Sequence, residues 1–426
     1  MVYSIPRRSS STAASAAATA AGFLLCWTAA FSSRVVPCGA WQIASPRVGR
    51  SGATTANRRL HSSSTSTSSA DRHRVVAEGG AGHRQAFSMS TAAGATASPL
   101  DGVGGHIRRV DTQESQAALV SKYDSFVFDC DGVLWGGSHA IEGSLDTVKA
   151  LRRAGKRTFF VTNNSSKSRR QYCIKLEGFG VHGVAVEDIV TSGSAIAAYI
   201  KSHHPDVTTV YMVGEDGLEE ELGMVGLKVV KEEARPAPGM TEDEFREESL
   251  HPEVGAVVVG YDTSFGFRQM CVSSAYIQRG AHFVGTNPDV ADRVGSLLMP
   301  GTGPLLASIQ VASGVAPVVV GKPNPLLIRQ LMDQYGLAPS STVMVGDRLD
   351  TDIMFGNAGG VSSALVLTGV SEIGDTVGLV PGGDSTPTYL LEKLGDLLAA
   401  AEQAAAAVEA AAAAGLEKQS SPVAKI

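Results

Sequence analysis

The sequence of 426 residues predicts an α/β protein in which a second α/β domain interrupts a parallel sheet. Two observations predict this fold. After about residue 120, short runs of β-branched and aromatic residues alternate with helical patterns, as they do in βαβ units. In addition, the polar clusters at Thr162 and Lys322 each follow a predicted strand but lie 160 residues apart, far more than one βα unit requires. We therefore expect a separate domain in that interval.

Four predicted strands of the first sheet each lead into a polar cluster. The strands are residues 125–128, 158–161, 317–320 and 342–345. The clusters that follow them read DCDG, TNNSS, GKPNP and GDRLDTD. Because the carboxyl ends of parallel strands meet at one edge of an open sheet, where ligands bind, we expect the four clusters to converge.

The interval between the second and third clusters contains strands of its own. They read TTVYMVG, GAVVVGYD and AHFVGTNPD, whereas residues 188–204 are assigned to the first sheet and its helices. The tail after residue 396 is mostly alanine and predicts a solvated helix or a low-complexity segment. The predicted organisation is a leader and linker, mostly disordered (1–115), a core in two parts (116–207 and 315–398), an inserted domain (208–314) and a tail (399–426).

The first hundred residues have the composition of a targeting sequence. No acidic residue precedes Asp71, although seven arginines do, and residues 20–31 form an apolar stretch. This order is typical of a signal-peptide-like segment joined to a transit-peptide-like one, as in two-part plastid leaders. A mitochondrial address or an unstructured tail of a cytosolic protein is the alternative. No later segment is expected to span a bilayer, so stable membrane insertion is not predicted.

The charge of the chain argues against a nucleic-acid-binding protein, and its cysteine content argues against a disulfide-rich one. Residues 122–426 contain 24 basic and 37 acidic side chains, a formal charge of −13, which argues against a nucleic-acid partner. Only Cys130, Cys173 and Cys271 lie beyond the leader. Three scattered cysteines do not make a disulfide framework, so we expect a reducing compartment.

Asp129 and Asp131 follow a buried strand and share one face of it, with their carboxylates roughly 6 to 7 Å apart. If Asp347 converges on them, the result is an all-oxygen site, which suits Mg²⁺. Each motif has a simpler interpretation by itself, such as an Asp-Gly turn, a helix cap or a solvated lysine. An EF-hand is excluded because Gly132 comes too early. Four such motifs in this order, each at a strand end, favour a site.

The motifs DCDGV, FVTNNS, VGKPNP and MVGDRLDTDI resemble those of the haloacid-dehalogenase superfamily. More narrowly, they resemble the branch that includes phosphoglycolate, 4-nitrophenylphosphate and pyridoxal phosphate phosphatases. The resemblance covers residues 123–371 and implies a Rossmann-like parallel-sheet core with an inserted α/β cap domain. It also implies Mg²⁺-dependent hydrolysis of a small phosphorylated metabolite through an aspartyl phosphate, and a homodimer formed through the cap.

The resemblance assigns roles by position. Asp129 would be the nucleophile and Asp131 the general acid/base, while Asp352 would orient Lys322 or a metal-bound water. The metal ligands would be Asp129, Asp131 through its backbone carbonyl, and Asp347. The substrate-binding residues would be Thr162, Asn163, Asn164 and Lys322.

Several alternatives concern the substrate. If the leader reaches a plastid, 2-phosphoglycolate is favoured, because oxygenation of ribulose bisphosphate produces it there. Pyridoxal phosphate, a nucleotide or glycerol phosphate would need the same chemistry. A non-catalytic scaffold is disfavoured because no motif residue has been lost. Residues 286–293, TNPDVADR, are predicted to reach over the substrate and select it, and a solvated surface loop is the alternative there.

Overall fold

The computed structural model describes residues 105–232, 239–294 and 297–419, with side chains described as far as residue 414. Most of the predicted leader, residues 1–104, lies outside the described residues, as do residues 420–426 of the predicted tail.

Within these ranges the chain forms sixteen strands and eleven α-helices. The strands are β1 (Arg108–Arg109), β2 (Ser125–Phe128), β3 (Trp135–Gly136), β4 (His139–Ala140), β5 (Arg157–Thr162), β6 (Ile189–Thr191), β7 (Thr209–Val213), β8 (Lys228–Val230), β9 (Val254–Val259), β10 (His282–Gly285), β11 (Ala291–Val294), β12 (Leu297–Pro300), β13 (Val318–Val319), β14 (Thr342–Gly346), β15 (Ser362–Val366) and β16 (Tyr389–Leu391). The helices are α1 (Gln113–Lys122), α2 (Ser144–Arg153), α3 (Arg169–Gly178), α4 (Ser192–His203), α5 (Asp216–Met224), α6 (Glu242–Glu247), α7 (Phe267–Gln278), α8 (Thr302–Ser313), α9 (Leu326–Tyr335), α10 (Met354–Gly359) and α11 (Leu398–Gln419).

A parallel sheet of seven strands forms the larger layer, in the order β1-β16-β15-β14-β2-β5-β6. Every residue of β2 and β14 is buried, as expected for central strands covered on both faces. Since β2 lies between β14 and β5, the carboxyl ends of these three strands are neighbours. The predicted α/β class and the positions of these three strands are confirmed.

A second parallel sheet has the order β13-β10-β9-β7-β8, and the three strands predicted in the inserted interval all belong to it. The assignment of residues 317–320 to the first sheet was wrong, because β13 pairs with β10. Val320 and Gly321 continue that pairing by donating to the carbonyls of Gly285 and Thr286. These bonds satisfy backbone groups that would otherwise be buried without partners. The chain leaves the second sheet only at Lys322.

The core also begins earlier than the sequence predicted. Strand β1 lies within the predicted leader, yet it pairs with β16 at the edge of the seven-stranded sheet. The neighbouring Ile107 and Val110 are buried. A two-residue strand with two arginines carries little β signal, which explains why its membership of the sheet was missed.

The alanine-rich tail was expected to be solvated, but α11 packs on the core. Ala401 and Ala405, one helical turn apart, are fully buried, and Glu402 pairs with Arg153 of α2 at 2.6 Å. Small side chains on one face allow the two helices to approach closely. By length and composition, residues 394–414 could cross a membrane, with a mean hydropathy of 1.3, so the expectation that no later segment qualifies was also wrong.

Candidate functional site

A cavity of about 430 Å³ opens at the carboxyl ends of β2, β5 and β14. The structure brings together every residue that the sequence predicted for the site. Its walls include Asp129, Asp131, Thr162, Asn163, Asn164, Lys322, Asp347 and Asp352. Segments of the second sheet and the β11–β12 hairpin complete the wall opposite the strand ends.

Asp129 is held at the end of β2, where its backbone N–H donates to Val345 of the neighbouring strand at 2.8 Å. The side chain is buried, and its Oδ1 accepts a hydrogen bond from Lys322 Nζ at 2.5 Å. Burial raises the pKa of Asp129 well above its ordinary value, and the Lys322 ammonium opposes that rise. The charge of this carboxylate therefore depends on the cations beside it.

Lys322 is itself almost completely buried, with 2% of its side chain exposed. Its ammonium lies between Asp129 and Asp352 Oδ1, the latter at 2.7 Å, and donates to the carbonyl of Val161 at 3.1 Å. Burial alone would lower the Lys322 pKa, but the two carboxylates outweigh it and hold the pKa above the ordinary value. The two carboxylates therefore favour the charged form of Lys322 and hold its ammonium in the cavity wall.

Asp352 supports this arrangement from the π-helical turn that precedes α10. Its Oδ2 accepts from the backbone N–H groups of Asp347 and Arg348, both at 3.1 Å. Gly346 makes the approach possible, since a Cβ there would lie 2.1 Å from that of Asp352. With one oxygen on Lys322 and the other on two amides, Asp352 is placed to orient Lys322, the role that the resemblance implied.

Asp347 follows β14 and is clamped by two glycines. Its Oδ2 accepts from Val370 N–H at 2.7 Å, whereas Oδ1 has no hydrogen-bond partner among the described residues. A Cβ at Gly369 would lie 1.9 Å from Oδ2, and one at Gly132 would lie 2.6 Å from Cγ. Burial, reinforced by Asp352, raises the pKa of Asp347 to about 8. The side chain is thus a buried acceptor without a full set of partners.

Three carboxylates could hold a cation here, since oxygen atoms of Asp129, Asp347 and Asp352 all lie within 4.8 Å of one another. The all-oxygen donor set and the unpartnered Asp347 Oδ1 fit a hard divalent ion. In the described part of the chain, Asp352 Oδ1 also makes no hydrogen bond but lies 2.7 Å from the Lys322 ammonium, and its Oδ2 is held by two backbone N–H groups, so Asp347, whose Oδ1 has no cation beside it, is the better side-chain ligand of the two. The predicted ligand set named Asp131 in place of Asp352, through its backbone carbonyl.

The Asp131 side chain is oriented by a residue that the sequence reasoning missed. Trp135 donates from Nε1 to Asp131 Oδ1 at 2.9 Å, while Oδ2 has no hydrogen-bond partner within the described ranges. Trp135 is in turn fixed by stacking on Tyr172 and Phe179, at centroid distances of 6.2 and 5.8 Å. One oxygen of Asp131 is therefore anchored, and the other makes no hydrogen bond within the described ranges.

The polar residues after β5 organise the backbone around Lys322. Asn163 donates to the carbonyl of Lys322 at 3.1 Å and accepts from its N–H at 2.8 Å. This pairing occupies the Asn163 amide, which favours positioning of Lys322 over the predicted contact with substrate. Thr162 Oγ1 accepts from Asn164 N–H at 3.1 Å, and both residues line the cavity.

The segment at residues 286–293 lies over the site as the sequence predicted, and its base is not a solvated loop. Thr286 and Asn287 are buried. Asp289 accepts hydrogen bonds from Asn163 at 3.2 Å and from Asn287 at 3.0 Å. From the core side, Arg348 donates to the carbonyl of Ala291 at 3.0 Å. These contacts were not predicted, because no local pattern indicates which core residue will meet an inserted domain.

Comparisons with known proteins agree with this geometry. Residues 126–228 match the family described as haloacid dehalogenase-like hydrolase, and residues 319–397 match one described as HAD-hydrolase-like. The chloroplastic phosphoglycolate phosphatase 1A of Arabidopsis thaliana is 37% identical over 306 residues, which cover 68% of this chain and 82% of the relative.

Solved structures of phosphatases are similar to this chain as well. The p-nitrophenyl phosphatase from Archaeoglobus fulgidus matches with a TM-score of 0.55 at 30% identity, over 66% of this chain and 99% of that one. Glycerol phosphate phosphatase from Mycobacterium tuberculosis, in complex with magnesium, matches with a TM-score of 0.54 at 30% identity, over 66% and 77%.

The raised pKa of Asp347 predicts that cation binding depends on pH. Up to about pH 8 a bound cation must displace the proton on Asp347, so Mg²⁺ affinity should increase by about tenfold per pH unit between pH 6 and pH 8 and then level off. Isothermal titration calorimetry at four pH values measures this. Asp347→Asn should weaken binding and flatten the profile, whereas the exposed control Asp333→Asn should change neither. A pH-independent affinity of the unaltered protein would contradict the assignment.

Proposed function

Because the chain belongs to the haloacid dehalogenase-like hydrolases, we propose that it hydrolyses a small phosphate monoester, 2-phosphoglycolate, through an aspartyl-phosphate intermediate. The observation that carries this proposal is the buried Asp129–Lys322 pair beside the unpartnered oxygen of Asp347. A carboxylate nucleophile next to a fixed cation in a water-accessible cavity is suited to attack on an anionic phosphate.

The proposed reaction has two steps. Asp129 attacks phosphorus, the bond from phosphorus to the ester oxygen breaks, and Asp131 transfers its proton to the leaving alcohol. Asp131, now a carboxylate, then takes a proton from water as that water attacks the aspartyl phosphate, which returns Asp129 and releases inorganic phosphate. Lys322 stays fixed and offsets the negative charge on the phosphate oxygens in both steps.

We propose Mg²⁺ as the cation, held by the carboxylates of Asp129 and Asp347 and by the backbone carbonyl of Asp131. The buried all-oxygen cluster supports this choice, as does the magnesium in the related glycerol phosphate phosphatase structure. When bound, the cation would neutralise charge on the phosphate and on the carboxylates around it. Without a bound cation, Lys322 neutralises part of this negative charge.

The five-stranded sheet and its helices act in this proposal as a cap. Strand β13 belongs to that sheet, so the cap ends at about residue 321 and not at 314. The cap supplies Asp289 and the β11–β12 hairpin to the cavity wall, which places it to exclude water and select the substrate. A homodimer formed through the cap stays a prediction.

The choice of 2-phosphoglycolate is supported by the name of the Arabidopsis relative and by the composition of the leader. Glycerol phosphate is the second candidate, because a related solved structure bears that activity in its name. No observation favours pyridoxal phosphate or a nucleotide. A non-catalytic scaffold is disfavoured, since all the predicted site residues are present and converge.

We propose a plastid location after removal of a leader, in keeping with the chloroplastic relative. Ile107 and Val110 are buried in the core, so cleavage should occur before residue 107.

Replacing Asp129 tests the mechanism. Asp129→Asn should lower kcat by at least about 10³-fold with both 2-phosphoglycolate and 4-nitrophenyl phosphate, because an amide cannot form the acyl phosphate. Circular dichroism should show that the variant folds, with a lower melting temperature because Lys322 loses one of its two carboxylate partners, and the exposed control Asp333→Asn should retain normal turnover. A near-normal kcat for the Asp129→Asn variant would rule out Asp129 as the nucleophile.

The leader can be tested independently. Residues 1–100 fused to a fluorescent protein should direct it to the plastid of a photosynthetic cell. A diffuse cytosolic signal would contradict the proposed location, and secretion would mean that only the signal-peptide-like half acts.

A further inference from the structure

We propose that Arg293 binds a carboxylate that the substrate carries close to its phosphate, and that this carboxylate takes the place of Glu372. The proposal rests on the phosphatase function proposed above and deepens it. It names the substrate class as short phosphate monoesters with a carboxylate on the alcohol side, the class to which 2-phosphoglycolate belongs.

The positive charges around the cavity suggest this role. Among the described residues that line it, the lysines and arginines are Lys322, Arg348 and Arg293. Lys322 lies between two carboxylates at the reaction centre. Arg348 is buried and is bound to Asp350 at 3.2 Å and to the carbonyl of Ala291 at 3.0 Å. The guanidinium of Arg293 is the cation of this set that can change partners.

Arg293 is paired with a side chain that is easily displaced. Its Nη2 lies 3.0 Å from Oε1 of Glu372, and the two side chains are 39% and 71% exposed. Exposed ion pairs contribute little free energy, because water solvates both partners well when they separate. A substrate carboxylate can offer the guanidinium the same two-oxygen acceptor while its phosphate is anchored elsewhere. Replacing Glu372 by the substrate carboxylate as the partner of Arg293 should therefore cost little free energy.

The remaining charges disfavour an anionic tail anywhere else in the cavity. Asp131, Asp289 and Asp292 also line the cavity. A carboxylate approaching these side chains would be repelled unless it met Arg293. Esters with neutral tails have no such requirement.

The β11–β12 hairpin does not depend on the pair between Arg293 and Glu372 for its position. Its base is held by the bond from Asn163 to Asp289 and by the bond from Arg348 to Ala291. Gly301 and Gly303 pack against the same segment, where a Cβ would lie 2.5 Å from backbone oxygens of Asp289 and Pro288. Release of Glu372 would thus free Arg293 without opening the hairpin.

The test compares two esters of equal chain length, one with a carboxylate and one with a neutral group in its place. 2-Phosphoglycolate and 2-hydroxyethyl phosphate have the same chain length, but the second carries a hydroxymethyl group in place of the carboxylate. Arg293→Gln should lower kcat/KM for 2-phosphoglycolate by roughly 10- to 100-fold, mainly through KM, and change that for 2-hydroxyethyl phosphate by less than about threefold. Arg293→Lys should recover part of the loss.

Glu372→Gln separates substrate binding from a purely structural pair. It removes the charge from the same contact, yet it should leave KM for 2-phosphoglycolate unchanged or lower, because it removes the competing carboxylate. Lys231→Gln, which breaks the exposed pair with Glu219 elsewhere in the cap, should leave kcat/KM for both substrates unchanged. The proposal would be overturned if Arg293→Gln lowered kcat/KM equally for both esters. It would also be overturned if the Arg293 and Glu372 variants lost kcat/KM for 2-phosphoglycolate in parallel.

Binding measured without turnover keeps this inference distinct from the proposed reaction. In the Asp129→Asn background, adding Arg293→Gln should weaken 2-phosphoglycolate binding by a similar factor in calorimetry. Hydrolysis of both esters with no effect of Arg293 would overturn the carboxylate site and leave the phosphatase proposal standing. If the unaltered protein bound the carboxylate ester through Arg293 but did not hydrolyse it, the carboxylate site would stand and the phosphatase proposal would be overturned.

Discussion

The contact on which the rest of the site depends is the buried ammonium of Lys322 between Asp129 and Asp352. A charge removed from water is costly unless opposite charges and hydrogen bonds replace the solvent. Here two carboxylates and the carbonyl of Val161 replace it, so the lysine stays charged and cannot move. Removing either carboxylate would leave part of this buried charge uncompensated, so Asp129 and Asp352 also stabilise the fold.

The position of Lys322 depends on both sheets. Lys322 is the first residue after the chain leaves the second sheet, and its backbone is clamped by Asn163 from the first sheet. The fixed cation of the core is therefore positioned by the inserted domain as well. Bonds from Asn163 to Asp289 and from Arg348 to Ala291 extend this link to the wall that faces the substrate.

The sequence predicted the core of the site well because its motifs are local. Asp129, Thr162 and Asp347 each follow a strand of β-favouring residues, and parallel pairing of those strands brings their ends together. Contacts between distant segments were not predictable in this way. The pairing of β13 with β10 depends on backbone groups that only the folded second sheet exposes. Burial of Ala401 and Ala405 depends on the surface of α2, which an alanine run does not specify. Trp135 could have been noticed from its position four residues after Asp131.

Covalent catalysis by Asp129, as proposed, can be tested by trapping the intermediate. Rapid acid quenching during turnover of 4-nitrophenyl phosphate labelled in its phosphate group, followed by peptide mapping, shows where the label resides. If Asp129 is the nucleophile, the label should lie on the peptide that contains Asp129, at up to one equivalent per chain, and hydroxylamine should release it as expected for an acyl phosphate. Turnover with label on a different residue would exclude Asp129 as the nucleophile. So would a burst of 4-nitrophenol without labelled protein.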